Sequence, residues 1–123
     1  MGNKNLDIKA RAKIYCLLAD LEKRDGRYEK AREYFGKANE LDPIAKEGWL
    51  EYSKMEEDCG NFDNCRDILL KGLSHDRTNE NLLKSLIKLE EKMGNIEAAR
   101  QIVTELDDFP LSSTWKIMLE SAL

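Results

Sequence analysis

The sequence predicts an all-α fold, a right-handed solenoid of antiparallel helical hairpins. The first observation is a repeat of 34 residues, the period of a two-helix hairpin. It is carried by Gly26, Gly60 and Gly94, by Glu22, Glu56 and Glu90, by Arg32, Arg66 and Arg100, and by the large apolar Tyr15, Trp49 and Leu83. The second is composition: 41% of the 123 residues are hydrophobic and 36% charged, which is typical of helices with solvated outer faces. Each repeat therefore buries its apolar stripe against its neighbour.

The period makes residues 1–123 one repeat domain, with repeats near 12–45, 46–79 and 80–111 and a partial fourth over 112–123. We expect about seven helices, near 7–24, 28–41, 45–59, 62–74, 79–93, 96–107 and 112–122. The short connections predict that neighbouring helices are antiparallel. The seventh helix has an apolar stripe, Trp115, Met118 and Leu119, and no partner helix. It indicates a fragment of a longer array, with self-association through this helix as the alternative.

Within the middle repeat, Trp49, Tyr52 and Met55 recur every three residues and predict an amphipathic first helix. Gly60 is expected to end it, because glycine takes a left-handed C-terminal cap without penalty. Asn61 is expected to cap the second helix. Asp42 and Pro43 are expected to open the middle repeat as N-cap and first helical residue, and Thr78-Asn79 to open the third. The second helix is expected to bury Cys65, Ile68, Leu69, Gly72 and Leu73.

The recurring glutamate and arginine predict one ion pair per repeat. Glu56 lies late in one helix and Arg66 early in the next, and the same spacing returns as Glu22 with Arg32 and Glu90 with Arg100. An arginine fork can grip a carboxylate with two hydrogen bonds. The spacing leaves open whether the pair forms within a hairpin or between neighbouring repeats. Exposed charges of little energetic weight are the alternative.

Composition and motifs exclude several function classes. The net charge is −4, and the ten basic and eight acidic residues of 1–43 leave the first repeat slightly positive. This is not the strongly basic footprint of an autonomous nucleic-acid binder. No phosphate-binding glycine loop or catalytic triad is present, so we expect no enzyme and no cofactor. Cys16, Cys59 and Cys65 match no zinc pattern and favour a reducing compartment. Cys65 is expected to be a packing residue, and His75 a surface residue in a turn.

The repeats resemble the tetratricopeptide repeat (TPR) superfamily. In the first repeat the resemblance is carried by Ala31, Tyr34-Phe35, Lys37-Ala38 and Leu41-Asp42-Pro43. The later repeats resemble the half-a-TPR, or HAT, subclass, through Trp49, Tyr52, Met55-Glu56, Gly60-Asn61 and Arg66-Asp67-Ile68, and then Leu89-Glu90, Gly94-Asn95 and Arg100-Gln101-Ile102. The first repeat departs from the HAT pattern, since Tyr15, Leu18 and Arg27 replace Trp, Tyr and Asn.

The resemblance implies a non-catalytic scaffold of the crooked-neck type, in a eukaryotic RNA-processing assembly. Its partners would be other proteins, bound as a peptide or helical segment, and it would be intracellular and nuclear, without a membrane. A general TPR adaptor and a direct RNA-binding module are the alternatives. The RNA groove would use Lys54, Lys84 and Lys88, although Glu47, Glu57 and Glu91 interrupt them. A carboxylate clamp of the co-chaperone type is disfavoured, because it needs cationic side chains on the groove-facing side of the first helices. The matching positions here hold Cys16, Asp20, Glu51, Asn81 and Ser85, none of which is a cation.

Overall fold

The computed structural model describes residues 7–105, which form six α-helices. They are α1 (Ile8–Arg24), α2 (Tyr28–Leu41), α3 (Lys46–Asp58), α4 (Phe62–His75), α5 (Glu80–Lys92) and α6 (Ile96–Glu105). The predicted all-α solenoid of helical hairpins is confirmed, and the first five helices agree with the expected bounds to within one residue. The expected seventh helix at 112–122 lies outside the described residues. None of the described helices has the length and apolar character that crossing a lipid bilayer requires.

The three hairpin turns are closed by glycine in the left-handed region. Gly26, Gly60 and Gly94 have φ of 79°, 82° and 81°, as the sequence predicted. The backbone N–H of the residue after each glycine donates to the carbonyl of Glu22, Glu56 or Glu90 at 2.8 Å. This pattern satisfies carbonyls that the helix end would otherwise leave unpaired. It also fixes each recurring glutamate in the last turn of a first helix.

The prediction that Asp42 and Pro43 form the N-cap and the first helical residue of the middle repeat is wrong. Asp42 caps the C-terminus of α2, since its N–H donates to the Ala38 carbonyl at 3.0 Å, and α3 begins only at Lys46. Pro43 is therefore a turn residue, and its carbonyl accepts a hydrogen bond from Trp49 Nε1 at 2.9 Å. The third repeat follows the prediction, because the Asn79 side chain accepts from the Leu82 N–H at 3.1 Å and caps α5.

The core of residues 7–105 consists of two buried clusters, one for each junction between the described repeats. Ala19, Ala31, Phe35 and Met55 pack between the first and second repeats. A larger cluster between the second and third repeats contains Trp49, Cys65, Ile68, Leu69, Leu73, Leu82, Leu83, Leu86, Ile87, Leu89 and Ala99. Tyr52 is half-buried and stacks on Phe35 with ring centroids 5.4 Å apart. Helix α4, the second helix of the middle repeat, buries the five residues that the sequence predicted.

The expectation for His75 needs correction. Its side chain is exposed, but it is the last residue of α4 rather than part of a turn, and its ring stacks on Trp49 at 5.9 Å between centroids. An exposed aromatic ring lying on a buried one shields the larger ring from water.

Candidate interaction site

Each described junction between repeats contains a buried carboxylate that binds an arginine of the preceding repeat. The Glu56 side chain on α3 is 0% exposed. It accepts from Arg32 Nε at 2.7 Å and Nη2 at 3.1 Å, and Arg32 lies on α2. The Nδ2 groups of Asn61 and Asn64 also donate to it, at 2.9 and 3.1 Å. The two carboxylate oxygens thus receive four donors.

The next junction repeats this arrangement. Glu90 on α5 accepts from Arg66 Nε at 2.9 Å and Nη2 at 2.7 Å, and from Asn95 Nδ2 at 3.0 Å. The pairs therefore connect neighbouring repeats, and Glu56 does not pair with Arg66 of its own hairpin. Asn61 lies at the N-cap position of α4, but its side chain makes no cap. Its amide donates to the Glu56 carboxylate instead, because a hydrogen bond to a charged group is stronger than one to a neutral group.

The electrostatics of the two carboxylates predict an acid-sensitive fold. Burial raises the pKa of Glu56, but hydrogen bonds from Arg32 and the two asparagines outweigh it and hold the pKa below its ordinary value. The Arg66 hydrogen bond does the same for the pKa of Glu90. Both groups bind protons less readily in the folded than in the unfolded chain. Their contribution is complete above the unfolded pKa of about 4.3 and is lost as pH falls through the lower folded pKa.

We expect the free energy of unfolding to fall as pH drops below about 5, because the unfolded chain then binds protons at both carboxylates more readily than the folded chain does. Urea unfolding at steps between about pH 7 and pH 3 measures it. The Glu57→Gln variant is the matched control and should keep the same profile, since Glu57 pairs with the largely exposed Lys92. Stability that stays constant down to about pH 3 would contradict the structural role of the pairs.

At both ends of the described region, the recurring glutamate or arginine lacks the partner from a neighbouring repeat that Glu56 and Glu90 have. Glu22 reaches only Arg27, at 3.9 Å, and Arg100 pairs with the exposed Glu97 at 2.7 Å. Leu21 is 58% exposed, whereas Met55, its counterpart one repeat later, is fully buried beneath the preceding repeat. The outer face of α1 therefore resembles a junction surface that nothing within residues 7–105 covers.

A cavity with a volume of about 670 Å³ lies between α1, the end of α2 and α3. We call it the α1–α3 pocket. Its floor consists of small or short side chains, and its rim is charged. The floor residues are Ala12, Cys16, Ala38, Asn39, Ala45 and Gly48, and the rim residues are Lys9, Lys13, Leu17, Asp42, Ile44, Glu47 and Glu51.

The pocket exists because the first junction departs from the repeat. Cys16, Asn39 and Gly48 stand where the second junction has Leu50, Leu73 and Leu82, each 34 residues later. Those leucines are buried in, or packed against, the larger core cluster. Smaller side chains leave the corresponding volume of the first junction empty. Sequence reasoning missed this site, although the broken repeat was its signal.

A buried amide lies at the floor of the pocket. Asn39 is only 6% exposed, yet its Nδ2 has no hydrogen-bond partner among the described residues. Its Oδ1 lies next to Gly48, where a Cβ would come within 2.2 Å of it, so α2 and α3 approach closely only because residue 48 is glycine. An unpaired buried amide destabilises a fold, which makes Asn39 a costly choice at a core position.

The wall formed by α3 is acidic. Glu47 and Glu51 lie one helical turn apart, and neither has an ion-pair or hydrogen-bond partner within the described part of the chain. Burial raises the pKa of Glu51, and the negative charges of Asp20 and Glu47 raise it further against the opposing Lys23. Burial, together with Glu51 and Glu47, also raises the pKa of the Cys16 thiol to about 11. The pocket therefore has a negative potential at its α3 side.

The sequence-predicted site residues fall into two groups. Trp49, Glu56, Gly60, Arg66, Glu90 and Gly94 occupy the junctions and turns that the repeat requires, and Arg100 lies exposed on α6. Lys54, Lys84 and Lys88 all lie on first helices, but Lys54 already binds Asp58 at 3.5 Å. Their use as a binding groove stays a prediction. The five places of a carboxylate clamp hold no cation, and two of them, Cys16 and Glu51, line the α1–α3 pocket.

Within residues 7–105, no cluster of histidine, cysteine or acidic side chains is placed to hold a metal ion. The three cysteines are unpaired: Cys16 is half-buried, Cys59 exposed and Cys65 buried. Burial raises the pKa of Cys65 to about 11, which suits the predicted role in packing.

The chain is similar to known proteins built from helical repeats. The model of the PRP6 TPR-like domain family matches residues 5–123. A TPR-containing protein of Dictyostelium discoideum is 41% identical over 115 residues, which are 94% of this chain and 9% of that protein. The pre-mRNA-splicing factor CLF1 of Eremothecium gossypii is 26% identical over 103 residues, covering 80% of this chain and 15% of that protein. The chain thus spans a small part of these relatives' length.

Among solved structures, the N-terminal domain of stress-induced protein STI-1 from C. elegans superimposes with a TM-score of 0.70. The match covers 93% of this chain and 95% of that domain, at 16% identity. At this identity the likeness shows the fold, which is that of a TPR-like repeat. Such repeat folds typically hold other proteins in place and generally lack catalytic activity.

Proposed function

The chain belongs to the PRP6 TPR-like domain family, and from this premise we propose that it is a non-catalytic protein-interaction scaffold in a nuclear RNA-processing assembly. The observation that carries the proposal is the family match over residues 5–123, nearly the whole chain. The similarity to the splicing factor CLF1 supports pre-mRNA splicing as the process, although CLF1 shares only a short segment with this chain.

The geometry supports a scaffold because the repeats are locked to one another. Each described junction has a buried carboxylate held by an arginine of the preceding repeat, at 2.7 Å in both cases. Such a stack keeps its outer faces in fixed relation, which suits a protein that positions partners. The exposed Leu21 and the incompletely paired Glu22 on α1 support a stack that continues beyond the first repeat. Glu22 would then bind an arginine that corresponds to Arg32.

Protein contact is better supported than RNA contact. The described lysines of the proposed groove alternate with carboxylates, and the α1–α3 pocket has an acidic wall. RNA affinity depends mainly on neutralising phosphates with cations, so these acids weaken it. A general adaptor function unrelated to RNA remains the alternative that the experiment separates.

Purification of the tagged full-length protein from nuclear extract, with and without ribonuclease, tests the proposal. We expect splicing or other RNA-processing proteins to co-purify in both samples, and the tagged protein to be nuclear by microscopy. Loss of these proteins after ribonuclease would indicate an RNA tether and favour the RNA-binding alternative. A cytoplasmic protein that recovers only unrelated partners would favour the general adaptor.

A further inference from the structure

We propose that the α1–α3 pocket binds a protein segment in which a lysine or arginine lies next to an aliphatic side chain. The aliphatic side chain would occupy the floor between Cys16, Asn39 and Gly48, and the cation would reach Glu47 and Glu51. The inference deepens the scaffold function proposed above and rests on it, since it names the chemistry of one partner.

The volume of the pocket argues for an occupant. About 670 Å³ is open at a place where three leucines fill the next junction. Binding pockets for small ligands and side chains commonly have volumes of about 300–1,000 Å³, with apolar floors and few polar groups. A single aliphatic side chain with its backbone would restore the packing that Leu50, Leu73 and Leu82 provide one repeat later.

The buried amide of Asn39 argues for a polar contact beside that side chain. Its Nδ2 is unpaired, and Asn39 itself lines the pocket. A half-turn of the amide about its last side-chain bond exchanges nitrogen and oxygen, so Asn39 can meet a backbone carbonyl or a backbone N–H. A core position that lowers stability and faces a pocket is typical of a binding site.

The charges at the rim indicate that the partner is positively charged where it meets α3. Asp42, Glu47 and Glu51 line the pocket with three carboxylates against two lysines, Lys9 and Lys13. Glu47 and Glu51 are exposed, as the two lysines are, but neither carboxylate makes an ion pair within residues 7–105, and the one cation that acts on Glu51, Lys23, is paired with Asp20. A partner cation at this wall relieves the repulsion, and a partner carboxylate would increase it.

A labelled peptide of twelve residues with alternating leucine and lysine and blocked ends is the probe, and the same peptide with glutamate for lysine is its control. Fluorescence anisotropy measures affinity for the folded chain. We expect the lysine peptide to bind and the glutamate peptide to bind at least tenfold more weakly. Glu51→Gln should weaken binding at least fivefold, while Glu91→Gln, a matched loss of charge on α5, should change it less than twofold.

Cysteine alkylation locates the bound peptide. Saturating lysine peptide should slow alkylation of Cys16 at least fivefold and leave the exposed Cys59 unchanged, as measured by mass spectrometry of the two sites. The variant Asn39→Leu gives the first junction the leucine that the second junction has at residue 73, and it keeps Gly48, on which the close approach of α2 and α3 depends. It should unfold at an equal or higher temperature and lose at least tenfold in affinity. If this variant does not fold, Glu51→Gln and the Cys16 protection decide the question.

Absence of binding at millimolar peptide, equal binding of the acidic peptide, or binding that leaves Cys16 unprotected would each overturn the assignment. These outcomes are separable from a failure of the scaffold function. A full-length protein that still co-purifies with RNA-processing proteins would lose only its pocket assignment. One that recovers no such proteins but protects Cys16 would keep the pocket and lose the nuclear scaffold.

Discussion

Replacing Trp49 by alanine is expected to remove about 3–5 kcal/mol from the free energy of unfolding. The side chain is 8% exposed and belongs to the larger core cluster. Its indole Nε1 donates to the Pro43 carbonyl at 2.9 Å, so the variant also leaves a carbonyl of the turn without its donor. Denaturant unfolding measures the loss, and Leu70→Ala in the same repeat is the control, because Leu70 is 47% exposed.

The close contact between Trp49 and α4 provides a second, sharper measurement. A Cβ built on Gly72 would lie 2.8 Å from Trp49 Cγ, so Gly72→Ala alone should overpack the junction and destabilise it. In the Trp49→Ala background the indole is gone, and the same methyl group should cost much less. The double-mutant cycle therefore predicts a favourable coupling. Additive effects, or a loss under about 1 kcal/mol for Trp49→Ala, would mean that the ring does not fill this junction.

Much of the fold follows from local signals that recur in each repeat. Glycine alone tolerates the left-handed turn without strain, so Gly26, Gly60 and Gly94 mark all three hairpins. Helix starts were less predictable. Asp42-Pro43 has the residues of a helix start, but the backbone of Asp42 completes the last turn of α2, and α3 begins three residues after Pro43. The hydrogen bonds of the preceding helix decide this, and a local pattern does not contain them.

The partners of the recurring glutamates could not be chosen from spacing. Arg66 follows Glu56 by ten residues and Arg32 precedes it by 24, and either distance suits a helical hairpin. In the structure Arg32 reaches forward to Glu56, and Arg66 reaches forward to Glu90. The second helix of each repeat presents its arginine to the next repeat, not to its own first helix. Only the stacking of hairpins determines this choice.

The α1–α3 pocket could be suspected from the sequence but not established from it. The repeat makes Asn39 and Gly48 visible as exceptions at positions that hold Leu73 and Leu82 one period later. The sequence does not show whether a neighbouring side chain fills the missing volume. Here the nearby side chains are alanines and a cysteine, which are too small to fill it, and the cavity remains open.

Replacing Glu56 by glutamine is expected to cost up to roughly 3 kcal/mol, because Arg32 then loses its buried partner and keeps only its pair with the exposed Glu29. The carboxylate is 0% exposed and Arg32 only 26% exposed. Asn61 and Asn64 donate to the same two oxygens, at 2.9 and 3.1 Å. Glutamine replaces one acceptor by a donor, so at least one N–H group must face another in a buried place. The expected loss is large because several donors bind the same carboxylate, and the variant disturbs all of these hydrogen bonds rather than one.

Glu57→Gln is the matched control, one residue away on the same helix. Glu57 pairs with Lys92 at 2.7 Å, but Lys92 is 57% exposed, so solvent screens this pair and it should contribute little to stability. Arg32→Ala should behave like Glu56→Gln, and the double variant should cost less than the two single losses added, because each single change already removes the bond between the two side chains. Equal and small effects of Glu56→Gln and Glu57→Gln in urea unfolding would show that the buried carboxylates do not hold the repeats together.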